Sequence, residues 1–140
     1  MEYRHILVAI ELAEESKALI DRANFFADKL DAHISFVYID VSHGEIYPEI
    51  YDIQQQHDHL PINDKALEQL REFEAYTDHP IKHIFAGTGD LDDKINEVIN
   101  TNGIDLLLCG HHHDFWHKLI SQTKQIIDAS PIDILVVPME

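Results

Sequence analysis

His111–His112–His113–Asp114, with His117 just beyond, is the densest set of metal-ligating side chains in the sequence. Imidazole and carboxylate bind zinc, nickel and copper, and His113 and His117 lie one turn apart if that stretch is helical. Three consecutive side chains point in different directions, however, and neither an HExxH motif nor a Cys/His pairing accompanies them. A polar loop packed on Phe115 and Trp116 is the expected role; a metal site using His111, His113 and His117 remains the alternative. Gly87–Thr88–Gly89 precedes a helical pattern and would offer backbone N–H groups to a phosphate. It lacks the third glycine of a dinucleotide fingerprint and the Gly-Lys-Ser/Thr of a P-loop, so a tight turn with Asp90 as helix cap is expected. Glu11 follows the first strand as an acid or base, or as a solvated capping carboxylate. Cys109, inside an apolar run, is expected to act as a small core side chain and not a reactive thiol. No serine or cysteine nucleophile pairs with a positioned histidine, so no catalytic residues are assigned and no enzyme is expected.

The elements that must position these groups alternate strand and helix. Leu106–Leu107–Leu108–Cys109 is an apolar run without alternation, the mark of a strand buried on both faces, and Gly110 is expected to stop it. His5–Ile10, His33–Ile39, Ile81–Ala86 and Ile132–Pro138 read as four further strands. Leu19, Ala23, Phe26 and Leu30 form one face of a first helix, with the acids of residues 11–15 at its start. Ala66, Leu67, Leu70 and Phe73 line a second helix behind Asn63. Leu91, Ile95, Val98 and Ile99 line a third, ending at Asn102–Gly103, and Leu119, Thr123, Ile126 and Ile127 a fourth. Tyr47, Ile50, Tyr51 and Ile53 are too apolar for a solvated linker and predict a short helical turn over a sheet edge or against a partner. The whole describes an α/β fold: one domain over residues 1–140, a parallel sheet with helices on both faces.

Ten basic residues against 26 acidic ones leave a formal charge of −16. That field repels phosphate backbones and anionic lipids, so neither nucleic acid nor membrane is an expected partner. A single cysteine permits no internal disulfide, and Met1–Glu2–Tyr3–Arg4–His5 enters a strand without a secretory pattern. A cytoplasmic location is therefore expected. Eleven histidines are many for this length and give the charge a dependence on pH below about 6.5.

Tyr3–Ile10 with Glu14–Glu15–Ser16, the Gly87–Leu91 turn, Asp105–Trp116 and Asp133–Pro138 together resemble the universal stress protein family, in its bacterial A-like group. The resemblance runs from the first strand to the last. It implies an open five-stranded parallel sheet of order 3-2-1-4-5, a homodimer, and accumulation in the cytoplasm under stress. ATP-binding members carry Gly-x2-Gly-x9-Gly-Ser/Thr after the fourth strand and an acid after the first. Here Gly110, Ser121 and Glu11 match, but His113 and Ile120 replace the second and third glycines and the loop is one residue short. The resemblance thus favours the branch without nucleotide, leaving Glu11, Gly110 and Ser121 as remnants. In that strand order the last strand is an edge, long and apolar through Ile134, Leu135, Val136 and Val137. Such an edge needs covering, so these residues are the expected dimer interface. The implied function is a small dimeric stress-response protein working through contacts with other proteins, without cofactor. An ATP-binding switch or weak autokinase/ATPase is the first alternative, and a metal-binding protein built on the His111–His113 loop the second.

Overall fold

Five consecutive residues, His5–Ala9, are buried and form the central strand β1. In the computed structural model, which describes residues 3–10, 14–40, 50–54, 64–88, 98–111 and 132–138, the chain continues through α1 (Ser16–Leu30), β2 (His33–Asp40) and β3 (Ile50–Asp52). It then runs through α2 (Asp64–Tyr76), β4 (Ile81–Thr88), β5 (Leu106–His111) and β6 (Asp133–Pro138). A helical stretch over 98–102 leads into β5.

The sheet order is β3-β4-β2-β1-β5-β6. Four pairings are parallel: β1 with β2, β1 with β5, β2 with β4, and β5 with β6. Those five strands reproduce the expected order 3-2-1-4-5. The sixth, β3, corrects the sequence reading. Where a helical turn was expected around Ile50 and Tyr51, the chain lies antiparallel on β4, pairing Ile50 with Gly87, Tyr51 with Ala86 and Asp52 with Phe85. An open β4 edge supplies the hydrogen-bond partners that so short a segment lacks alone.

Alternation divides the core in two. Ile6, Val8, Phe36 and Leu108 face the side on which α1 contributes Leu19, Ile20, Ala23 and Ala27, and α2 contributes Ala66, Leu70 and Phe73. Leu7, Ala9, Val37, Phe85 and Cys109 face the other side, where Ile99 of the 98–102 stretch and Ile104 pack. Helical elements therefore cover both faces, as the alternating pattern requires.

Helix ends follow local chemistry. Asp31 at φ 54° closes α1 in the left-handed region, and the N–H groups of Asp31 and Ala32 both reach the Ala27 carbonyl. Aspartate accepts that conformation better than most side chains. Gly103, at φ 64°, does the same after 98–102, as the Asn-Gly pair predicts. Of the acids expected at the start of α1, Glu15 is its N-cap, without a side-chain bond, and Glu14 pairs with Lys17 at 3.0 Å. Two glycines also depart from expectation. Gly110 continues β5, paired with Val137, and Gly87 continues β4, paired with Ile39 and Ile50. In both places neighbouring strands extend the ladder past the residue whose type suggested a break.

Candidate functional site

The chain runs outward from β1 through β2 to β4 on one side and through β5 to β6 on the other. The order thus reverses between β1 and β5, and ligands in open α/β sheets sit at the carboxyl ends of such a pair. Register places Ile6, Leu7 and Val8 beside Leu106, Leu107 and Leu108. Gly110 and the backbone of His111 end β5 at this rim, and after β1 the Ile10 N–H donates to the Val37 carbonyl at 2.8 Å. Ala9, Ile10, Val37, Ala86 and Cys109, towards the carboxyl ends of their strands, are all buried. Of these only Cys109 is ionisable, and burial pushes its thiol up to about 11. A thiol so placed is protonated at neutral pH, which agrees with a packing role.

Of the anticipated nucleotide remnants, Gly110 lies near the end of the β5 ladder, paired with Val137; Glu11 and Ser121 lie outside the described residues, as do His113, His117 and Ile120. The backbone of His111 is the last position of β5, paired with Pro138. Among the described residues no group of three or more His, Cys, Asp or Glu is arranged to hold a metal. No helix among them is long and apolar enough to cross a membrane.

The anticipated interface strand is an edge. Its neighbour is β5, and β6 ends the sheet. Val137 is 5% exposed and joins the α1/α2 side of the core, with Leu135 packed partly against it. Ile134 and Val136 pack partly on the opposite side. Ile134, Leu135 and Val136 each keep some accessible surface. The strand is thus apolar on both faces while its outer backbone groups have no strand partner among the described residues.

The amino rim of the sheet is polar, and sequence reading missed it. The Asp105 carboxylate accepts the N–H groups of Arg4, at 2.9 and 3.1 Å, and of His5, at 3.2 Å. Tyr3 donates its hydroxyl to Asp133 at the start of β6, a bond that raises the phenol's pKa. His5 is 3% exposed and Ser35 fully buried. The His5 Nδ1–H donates to the Asn102 carbonyl at 2.9 Å, which leaves Nε2 to accept from the Ser35 hydroxyl at 2.6 Å. His83 donates Nδ1–H to Asp52 of β3 at 2.6 Å. A hydroxyl bonded to an oriented imidazole resembles a nucleophile with its base, but both groups are sealed from solvent and no substrate reaches them. The signal available in sequence was that His5 and His33 each open an apolar strand and His83 interrupts one.

Residues 2–138 match the model of the universal stress protein family. The chain is 36% identical over 137 residues to a universal stress protein A homolog of Haemophilus influenzae, covering 98% of this chain and 97% of that protein. It is 34% identical over 139 residues to universal stress protein A of Yersinia pestis, covering 99% and 94% respectively. Among solved structures, a universal stress protein in complex with cAMP superposes with a TM-score of 0.62 at 19% identity, over 99% of this chain and 98% of that one.

Proposed function

Because the chain belongs to the universal stress protein family, we propose that it is a dimeric cytoplasmic stress-response protein that acts by contact with other proteins, without cofactor or catalysis. The observation that carries this reading is β6, a six-residue edge strand bearing Ile134, Leu135, Val136 and Val137. An unpaired strand of that composition aggregates unless something covers it, and a second copy related by a two-fold axis covers both at once. Support against nucleotide comes from His113 and Ile120, which stand where the family's phosphate loop needs glycine to bring backbone N–H groups close. The −16 charge opposes a triphosphate as well.

Sedimentation of the purified protein tests the first half: a dimer mass supports it, and a monomer at ~100 μM removes it. Titration with Mg-ATP tests the second. We expect no heat, which sets Kd above roughly 1 mM. A second reading, a nucleotide-responsive switch, is favoured by Gly110 at the carboxyl end of β5 and by the cAMP-bound relative of the same fold. Kd below ~50 μM, or adenine nucleotide released by acid from the purified protein, would make it the better reading.

A further inference from the structure

The amino rim also holds three imidazoles in one group. The rings of His5 and His33 lie 6.3 Å apart at 76°, edge to face. His5 and His83 lie 6.4 Å apart although β2 runs between their strands. Ser35 of β2, the intervening strand, is bonded to His5. Alternation puts His5, Ser35 and His83 on the face that carries Leu7, Val37 and Phe85, against which the 98–102 stretch packs.

We propose that this group is an acid-sensed catch: neutral His5 fastens the end of the 98–102 helical stretch and β2 to β1, and a proton on His5 opens that rim. The hydrogen bonds specify the neutral ring. Nδ1–H is committed to a carbonyl, so Nε2 must accept, and the Ser35 hydroxyl supplies the donor. A proton on Nε2 reverses that bond. The hydroxyl hydrogen of Ser35 then needs a new acceptor at a position with no access to water. Opening the rim solves both problems, by hydrating the imidazolium and freeing the serine.

Charges around His5 work in the same direction. β2 brings His33, and β4 brings His83 and Lys82, all of which disfavour a cation on His5. β3 brings Asp52, already engaged by His83. The turn before β5 brings Asp105, engaged by the backbone N–H groups of Arg4 and His5. The 98–102 stretch presents the Asn102 carbonyl, which favours the cation, but burial outweighs it and His5 sits below its ordinary pKa. The sign follows. Above about pH 6.5 the ring is neutral whether the rim is open or closed, and the catch holds fully. As pH falls below that value the open form takes the proton first, and closure is progressively lost.

Amide hydrogen exchange, corrected for intrinsic rates, tests this on the full chain at pH 7.5 and 5.5. In the native protein, protection over residues 5–7, 33–35 and 98–105 should fall up to about tenfold at the lower pH. In His5→Asn, which keeps a donor for Asn102 but has no titrating group, the same protection should change far less. Equal responses in the two proteins would overturn the proposal. A ring titration of the native protein by NMR decides independently if the variant does not fold. His5 remaining neutral and Nδ1-protonated at pH 6 supports the catch, whereas titration at or above pH 6.5 overturns it.

Discussion

The two edges of this sheet are built in opposite ways. At one, β3 is three residues long, runs antiparallel, and is tied down by side chains. Asp52 accepts from His83 and from the Gln54 N–H, Gln54 donates to Glu74 and to the Ile81 carbonyl, and Arg71 donates to the Ile53 carbonyl. At the other, β6 is six residues long, parallel, and anchored by its ladder to β5 and by the Tyr3–Asp133 bond at its first residue. Short, charged, side-chain-locked edges resist pairing with other chains; long apolar ones invite it. In the proposed dimer, one edge is closed within the chain and the other is left for the second chain.

That contrast can be broken most sharply at β6. Val136→Lys sets a charge in the middle of the apolar edge, and we expect the dimer to be lost outright, as monomer or precipitate in light scattering. An unchanged dimer mass would show that β6 is not the interface. The next effect concerns how firmly β6 covers the interior. Cys109 pairs in register with Val136. With its thiol pushed up to about 11, its reaction with a soluble aromatic disulfide at pH 7.5 should run roughly 20-fold or more slower than an ordinary thiol's, the smaller thiolate fraction being offset in part by greater nucleophilicity. It should also quicken with each rise in pH. A rate near the free-thiol value would mean that β6 opens readily and that the edge is loose, not merely unpaired.

A smaller effect sharpens the contrast from the β3 side. Asp52→Ala leaves the half-buried His83 imidazole without its acceptor and should lower stability by about 1–3 kcal/mol in urea unfolding. The native mass should stay the same, since that edge is held internally. Smallest of all, Tyr3→Phe removes the anchor at the start of β6. We expect faster amide exchange at residues 133–135 with no change in mass or in the Cys109 rate. A change in mass on either substitution would mean the edges are coupled.

What could be read in the sequence follows from range. Leu106–Cys109 declared a two-faced buried strand, and Leu19, Ala23 and Ala27 a helix face, because period and burial are written in consecutive residues. Asn102–Gly103 declared a helix end for the same local reason. The order of the five parallel strands came from the family resemblance, since periodicity carries no information about neighbours. β3 was missed because a three-residue strand has no period; the exposed edge of β4 makes it a strand. Gly87 and Gly110 were read as breaks because glycine marks turns, yet both lie in ladders that neighbouring strands continue. The amino rim was illegible in a stricter sense. His5 meets Ser35 30 residues away, Asn102 97 away and Asp105 100 away, distances that only the completed topology closes. Of the candidate nucleotide positions, Gly110 lies near the carboxyl end of β5.

One consequence of the central position of β1 concerns how the chain is made. β1 leaves the ribosome before both of its neighbours, and the Asp105 carboxylate that holds Arg4 across 101 residues, with β5 just behind it, follows far later. Until then His5–Ala9 is an apolar segment with an open side, able to pair with β2 alone. At typical translation rates of roughly 5–20 residues per second, the hundred residues separating the partners take several seconds to appear. Before β5 is made, β2 can pair with both β1 and β4, but the far side of β1 stays open. A nascent chain stalled before residue 105 should accordingly be a chaperone substrate, with β1 as the segment it presents.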